Sequence, residues 1–331
     1  MEIRNPSVLK QDAARALKTG REPGKVITAY AGISAALTAL VFVVSYFLSR
    51  SLDGTGGLRN LGSYQILQTI QSCLPVVQIL AGLVLELGYI YAMMRISRRQ
   101  YADHTDLKAG TGYLGPMIRL SAWIGLVMLG IAFGCYYVSY LIFLMTPWGS
   151  AMLKAVFAMS QSGIVLDGTA PIDEAVMVQL TQSTLPLMLI FLVIFGVAGI
   201  WFSYRYRMAV YCLLDAPRAG AMAAVRESRR LMRGNWRKLF RLDLSFWWYF
   251  AGVVLANCIG DAATVVEALG ISLAIDPDVL YFLSLGGYLA VQFALEYFCR
   301  NRVECTYILA YDGIRTPPKD SGVVLGNIFQ M

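Results

Sequence analysis

Charged residues and histidine are scarce in this sequence, which argues against a soluble protein and against a histidine-based metal site. Only 15% of the 331 residues are charged, whereas 57% are hydrophobic and the mean hydropathy is +0.57. Soluble domains carry roughly a quarter charged residues, so a soluble fold of this composition would lack the polar surface to cover its core. The single histidine, His104, has no paired ligands around it in the sequence, and we expect no metal site.

The motifs of nucleotide-binding proteins and of hydrolytic enzymes are also missing. The six cysteines include no Cys-x-x-Cys pair, and most lie in apolar segments, so we expect reduced packing residues. The glycine-rich residues 53–62 lack the Gly-Lys-Ser/Thr ending of a phosphate-binding loop. Neither Gly-x-Ser-x-Gly nor His-Glu-x-x-His occurs. The sequence therefore predicts no catalytic residue and no cofactor, and an intramembrane enzyme is the least favoured class.

Long apolar segments are what the sequence has instead. A helix needs about 20 apolar residues to cross the hydrocarbon core of a bilayer. Six segments meet or approach this length, namely residues 26–48, 73–94, 120–145, 185–203, 244–260 and 279–299. Together they predict an all-α, six-span transmembrane helix bundle. The first begins too far along the chain, and is too long, for a cleaved signal peptide.

The distribution of Lys and Arg predicts the orientation of this bundle. The N-terminal segment, every second connection and the C-terminal tail contain all but three of the 28 Lys and Arg residues. The exceptions are Arg50, Arg59 and Lys154. The positive-inside rule then places both termini in the cytoplasm. We expect an amphipathic cytoplasmic segment over 1–25, a membrane domain over 26–312 and a cytoplasmic tail over 313–331.

One segment combines dense positive charge with aromatic residues. Residues 217–234 predict a basic amphipathic surface helix, because Met222, Val225, Met232 and Trp236 recur at helical spacing. The cations of this segment, called the basic patch below, are Arg226, Arg229, Arg230, Arg233, Arg237, Lys238 and Arg241. Each cation near an anionic leaflet contributes roughly 1 kcal/mol, so we expect binding to anionic lipids of the inner leaflet. Because six spans lie beside the patch, nucleic-acid binding is not expected.

Polar residues inside the apolar segments form a candidate intramembrane site. They are Gln78, Glu86, Asn257, Gln292 and Glu296. A charge at mid-membrane costs roughly 2.5–3.5 kcal/mol on insertion scales, so Glu86 must face the bundle, be protonated or find a partner. Two interpretations stay open: Glu86 and Glu296 act as a proton- or cation-linked pair in a transport path, or they hold helices together by hydrogen bonds. A helical i,i+4 pair with Arg300 explains Glu296 without a transport role.

Part of the sequence is similar to a known family. The stretch RYRMAVYCLLD at 205–215 precedes AVRESRRLMRGN at 224–235, and residues 242–246 follow as LDLSF. These stretches resemble the bacterial integral-membrane family called domain of unknown function 975. Its members share, in this order, an R-Y-x-M-A element, an A-[LIV]-x-x-S-x-x-L-M-x-G run and an L-x-L-S-F element. The resemblance implies a multi-pass protein of a bacterial cytoplasmic membrane. It implies no reaction, substrate or catalytic residue.

The sequence thus predicts a non-enzymatic membrane protein that binds lipid, or a membrane-protein partner, through residues 217–241. The alternative is a small transporter or permease that uses Glu86 as an intramembrane carboxylate.

Overall fold

The computed structural model describes residues 5–19, 23–54, 61–161, 174–262 and 276–315, and the regular elements within them are all helical. This confirms the predicted all-α class. The α-helices of this part are α1 Pro6–Thr19, α2 Pro23–Gly54, α3 Leu61–Ser97, α4 Gly110–Leu144, α5 Pro147–Gln161, α6 Glu174–Tyr206, α7 Ala209–Asp215, α8 Ala221–Met232, α9 Trp236–Leu244, α10 Trp247–Gly260, α11 Pro277–Ala294 and α12 Asn301–Ile314. The 3-10 helices His104–Ala109 and Pro217–Ala219 precede α4 and α8, and a π-helical segment, Leu295–Arg300, joins α11 to α12.

Within the described residues, five helices are long and apolar enough to cross a bilayer. They are Pro23–Ser51, Gln65–Ser97, His104–Leu144, Thr184–Asp215 and Asp278–Ile314. The consecutive helices α9 and α10 pass the same test together but are bent by 62°, so the count becomes six if they form one broken span. The bend falls inside the predicted fifth segment, 244–260. The predicted tail, 313–331, lies outside the described residues from 316 onward, as do residues 1–4 and 20–22 of the predicted N-terminal segment.

The predicted surface helix 217–234 differs from its expected form. Gly220 and Gly234 have φ angles of 79° and 85°, in the left-handed region that glycine adopts without steric cost. They bound α8, so the helix is shorter than expected and ends where the Gly234-Asn235 pair predicts. Of the apolar stripe, Val225 and Met232 are buried whereas Met222 and Trp236 are exposed. The position of α8 on a membrane surface stays a prediction.

The chain divides into two compact units. The first contains Met1–Pro116, Val210–Gly220 and Arg233–Met331, and the second contains Met117–Ala209 and Ala221–Met232. In the second unit, the Ser228 hydroxyl on α8 donates to the backbone carbonyl of Arg205 at the end of α6, at 2.9 Å. Helix α5 packs against α6, and Gly149 allows the start of α5 to approach the end of α4 closely.

The core of the first unit lies at one end of its long helices. Helix α3 has 37 residues and is therefore about 55 Å long, well beyond the hydrocarbon thickness of about 30 Å. Its apolar side chains are largely exposed from Ile66 to Leu80 and largely buried from Leu87 to Ile96. The buried part contacts α1 and α12, and its largest fully buried partners there include Ile308 and Tyr311. The rest of α3 presents an apolar surface of the kind that lipid covers.

A close backbone approach fixes the connection between α3 and α4. A Cβ atom added to Gly88 would lie 2.0 Å from the carbonyl oxygen of Leu107, and one added to Gly110 would lie 1.9 Å from that of Val84. Asp103 begins the intervening 3-10 helix as its N-cap, and a hydrogen bond from the His104 backbone N–H holds the pKa of Asp103 below its ordinary value. Glycine at both contact positions thus lets the connection pack directly against α3.

Candidate functional site

The candidate polar site is built on the π-helical segment Leu295–Arg300. A π-helix bonds each N–H to the carbonyl five residues earlier and is rare, and it occurs often at functional sites. This segment carries Glu296 and Arg300 and contacts α2, which carries Tyr30 and Ser34. Helix α3 supplies Glu86 and Tyr89. These residues belong to the first unit, and we call the group the Arg300 site.

The Arg300 guanidinium is held by two aromatic rings and two carboxylates. Its Cζ atom lies 4.9 Å from the ring centroid of Tyr30 and 5.4 Å from that of Tyr89, and the two rings stack on each other at 4.3 Å. Arg300 Nη2 donates to Glu86 Oε1 at 2.9 Å, and Nη1 lies 3.6 Å from Glu296 Oε1. The Arg300 side chain is 18% exposed. Burial of this cation is therefore offset by charge pairing and by cation–π contacts.

The two carboxylates differ sharply in environment. Glu86 is half exposed, whereas the Glu296 side chain is 4% exposed. Glu296 Oε1 accepts from Gln292 Nε2 at 2.9 Å and from the Ser34 hydroxyl at 3.3 Å. Glu296 Oε2 is buried and has no hydrogen-bond partner among the described residues. A buried carboxylate oxygen without a donor is costly in its charged form.

The structure brings three of the five sequence-predicted polar residues together and leaves two apart. Glu86, Gln292 and Glu296 converge on the Arg300 site, and the predicted i,i+4 pair between Glu296 and Arg300 is present. Gln78 lies two turns before Glu86, about 12 Å along the axis of α3. Asn257 is exposed and donates to the carbonyl of Val253 on its own helix at 2.8 Å. The transport and helix-holding interpretations both stay predictions.

The sequence analysis missed several members of the Arg300 site. Tyr30 and Tyr89 are two of 19 tyrosines, and Ser34 sits in an apolar run, so nothing in the local pattern separates them from packing residues. Tyr89 also donates through its hydroxyl to Asn301 Oδ1 at 3.0 Å. A search for polar atoms at one depth in different apolar segments would have grouped them with Glu86.

The part of the basic patch that belongs to the first unit lies on or next to α9, a helix with an exposed apolar stripe. Helix α9 buries Leu239 and Leu242 on one side. Its exposed side carries Trp236, Phe240 and Leu244, which are 44%, 45% and 61% exposed and recur every fourth residue. Arg237 and Arg241 are also exposed and follow this apolar stripe by one position each, so they lie directly beside it. Lys238 is half-buried, and Arg233 is exposed just before the helix.

The bend between α9 and α10 is pinned from two sides within the first unit. Lys10 Nζ on α1 donates to the carbonyl of Ser245 at 2.7 Å and lies 4.1 Å from the ring centroid of Phe246. The Tyr307 hydroxyl on α12 donates to Asp243 Oδ1. These contacts fix which side of α9 is buried and which is exposed.

The other part of the basic patch lies on α8, in the second unit. Arg229 donates to the Tyr206 hydroxyl at 2.6 Å, with its guanidinium 5.1 Å from the ring centroid. Arg230 forms an ion pair with Glu227 at 2.6 Å, and Arg226 is exposed. Two of the three α8 cations are therefore engaged by the protein itself.

A second ion-pair group in the first unit joins the ends of α3, α7 and α12. Arg98 donates to Asp215 Oδ1 and Oδ2 at 2.7 and 3.0 Å, and to Asp312 Oδ1 at 2.6 Å. Arg315 also donates to Asp215. Burial opposes the charge on Arg98, but hydrogen bonds and attraction from Asp215 and Asp312 outweigh it and raise the pKa of Arg98 above its ordinary value. We call these four residues the Arg98 network.

The residues that the structure describes contain no group of three or more His, Cys, Asp and Glu side chains placed to hold a metal ion. All six cysteines lie in this part and are unbridged. The carboxylates described above face arginines and tyrosines instead, an arrangement suited to holding charge and protons inside an apolar fold.

In the described part of the chain, five or six helices are long and apolar enough to cross a bilayer, a composition typical of α-helical membrane proteins. The chain belongs to the family described as Protein of unknown function (DUF975), whose model matches residues 31–316. This match confirms the resemblance seen in the sequence and covers most of the chain. No curated protein and no solved structure matches it.

Proposed function

We propose that this protein binds anionic lipid headgroups at the inner surface of the bacterial cytoplasmic membrane, through α9 and the basic-patch arginines that α9 carries. One observation carries the proposal: the exposed side of α9 holds an apolar stripe, Trp236, Phe240 and Leu244, beside Arg237 and Arg241. A helix divided in this way lies between headgroups and acyl chains, with its apolar side chains inserted and its cations beside the phosphates.

The fixed orientation of α9 favours this role. Its buried side is held by Leu239 and Leu242, and Lys10 holds the bend at Ser245. The exposed side is therefore preorganised, and a preorganised surface loses less conformational entropy when it binds. The apolar helix α10 leaves the bend at 62°, which suits a chain that turns from the membrane surface into the bilayer.

Charge distribution supports the proposed orientation. The basic patch, the N-terminal segment and the C-terminal tail share the side that the positive-inside rule assigns to the cytoplasm. That side of the inner membrane carries anionic lipids, which attract clusters of Lys and Arg. A membrane-protein partner is the other occupant that the sequence predicts for this surface, but the pairing of tryptophan with arginine favours a lipid interface.

Replacement of both arginines beside the apolar stripe should remove the preference for anionic lipid. Full-length protein in detergent would be given equal amounts of phosphatidylglycerol and phosphatidylcholine, and the retained lipids would be counted by native mass spectrometry. For Arg237→Gln with Arg241→Gln we expect the preference for phosphatidylglycerol to fall by up to about 30-fold. Each cation contributes roughly 1 kcal/mol, and 1.4 kcal/mol corresponds to a factor of ten.

A charge-matched control separates this site from the net charge of the protein. Arg50→Gln with Lys154→Gln removes the same charge from two exposed positions, which the positive-inside rule assigns to the side opposite the cytoplasm. This control should keep the preference for phosphatidylglycerol. An equal fall in both variants, or a wild-type protein with no preference, would contradict lipid binding at α9.

Transport that uses the carboxylates Glu86 and Glu296 is the second candidate. It is favoured by Glu296 Oε2, which is buried without a hydrogen-bond partner among the described residues. If Glu86 takes part in proton-linked transport, solute uptake into vesicles that contain the Glu86→Gln variant should be lost or should lose its pH dependence. A change in stability alone would support the helix-holding interpretation.

A further inference from the structure

We propose that Glu296 is a proton-binding site, and that its protonation decides which carboxylate Arg300 pairs with. This goes beyond lipid binding at α9 and does not depend on it. The Arg300 site holds two carboxylates and one guanidinium, so its net charge is −1 when both glutamates are ionised. An uncompensated charge in an apolar interior is costly, and a buried group relieves the cost by taking up a proton.

The geometry assigns the proton to Glu296 rather than to Glu86. Glu86 is half exposed and receives the shorter contact from Arg300, at 2.9 Å, whereas Glu296 is almost fully buried and lies 3.6 Å away. Both donors to Glu296, Gln292 and Ser34, use Oε1. The free atom is Oε2, and a hydrogen there satisfies the carboxyl group without moving any of its partners.

The groups that surround Glu296 do not supply enough positive charge to keep both carboxylates of the Arg300 site ionised. Arg300 attracts its negative charge and Glu86 opposes it. Three phenols also face it within the described residues: Tyr30 on α2, Tyr249 on α10 and Tyr288 on α11. Phenols are neutral near pH 7 and do not compensate a carboxylate.

A proton fits Oε2 better than a metal ion does. Hard divalent cations take about six or more oxygen ligands. Oε2 is enclosed, and a second cation there would be repelled by Arg300. A proton needs one lone pair and no further ligand.

The π-helical segment carries both Glu296 and Arg300. Glu296 and Arg300 stand at its second and last positions, and Arg300 reaches Glu86 on α3 at the same time. With Glu296 protonated, Arg300 keeps its shorter contact with Glu86, which is the arrangement in the structure. Loss of the proton from Oε2 creates a second anion that draws the guanidinium toward Glu296 and weakens its contact with α3. Proton release is thereby coupled to the contact between α3 and the π-helical segment.

Infrared difference spectroscopy of the full chain in lipid nanodiscs tests this directly. The wild type should show the carbonyl band of a protonated carboxylic acid at neutral pH, with a shift in D₂O, and should lose it at alkaline pH. Glu296→Gln should lack the band. In Glu86→Gln one carboxylate remains for Arg300, so Glu296 should be ionised at neutral pH and the band should be lost there too.

Glu227→Gln is the matched control, because Glu227 pairs with Arg230 at an exposed position of α8. It should keep the band unchanged. No band in the wild type, or a band that survives Glu296→Gln, overturns the proton-binding site. A band that survives Glu86→Gln overturns the sharing of Arg300 between the two carboxylates. Both test substitutions replace a glutamate with an amide of the same shape, and size-exclusion chromatography of each variant checks that it folds.

Discussion

Alanine at position 110 should destabilise the protein by about 3 kcal/mol or more, one of the largest effects of any single substitution in this chain. The added Cβ would lie 1.9 Å from the carbonyl oxygen of Val84, and α3 must shift to admit it. Overpacking usually costs about 1–3 kcal/mol when side chains can adjust, and a backbone atom has less freedom to move. In Gly88→Ala the added Cβ would lie 2.0 Å from the carbonyl oxygen of Leu107, so this substitution should have a similar effect. The temperature at which detergent-solubilised protein loses its monodisperse elution peak measures the loss.

Two nearby glycines provide the control for this substitution. Gly112 and Gly115 lie in the same helix as Gly110, and a Cβ atom at either would meet no other atom within 4 Å. Alanine is a better helix former than glycine by about 1 kcal/mol, so Gly112→Ala should leave stability unchanged or raise it. If Gly112→Ala and Gly110→Ala lower stability equally, the close approach of the connection to α3 is wrong.

The start of α4 shows how tertiary contact overrides a local pattern. Gly110, Gly112, Gly115 and Pro116 are weak helix formers, and the predicted apolar segment, 120–145, begins only after them. Helix α4 nevertheless begins at Gly110. The contact with α3 requires glycine at position 110, and local propensity disfavours a helix that begins at glycine.

The Arg300 site was predictable only where its contacts are local. Glu296 and Arg300 are four residues apart, and their pair follows from helical spacing alone. The contact from Arg300 to Glu86 spans more than two hundred residues and depends on the rotation of α3 about its axis. Composition and periodicity contain no information about that rotation, so the same sequence pattern left Glu86 with two open interpretations.

The bend before α10 was partly visible in the sequence. The segment 244–260 is the shortest of the six, and Asp243 interrupts its extension toward Phe240. The structure uses this interruption: Asp243 accepts from Tyr307, and the helix axis turns by 62°. The sequence shows where the apolar run ends, whereas the contacts from Lys10 on α1 and Tyr307 on α12 explain the turn.

Loss of Arg98 should destabilise the protein by about 3–5 kcal/mol, the usual cost of breaking a buried ion-pair network by removing one partner. The Asp215 side chain is 5% exposed and Arg98 is 24% exposed, so solvent screens this network only weakly. Arg98→Gln leaves Asp215 to Arg315 and removes the described partner of Asp312. The end of α3 then loses the ion pairs that join it to α7 and α12, and the thermal unfolding midpoint should fall.

Two comparisons separate burial from charge as the cause. Asp312→Asn in the Arg98→Gln background removes the anion that has lost its partner, so the double variant should be more stable than Arg98→Gln alone, as a double-mutant cycle would measure. Arg50 and Asp278 form an Arg–Asp pair of similar length, 2.6 Å, but Arg50 is exposed and solvent screens the pair. Arg50→Gln should therefore change stability little, and salt should weaken that pair more than the Arg98 network. If Arg50→Gln and Arg98→Gln have equal effects, the Arg98 network contributes no more than a surface ion pair, and the packing of α3 against α12 must hold that end of the protein by apolar contact alone.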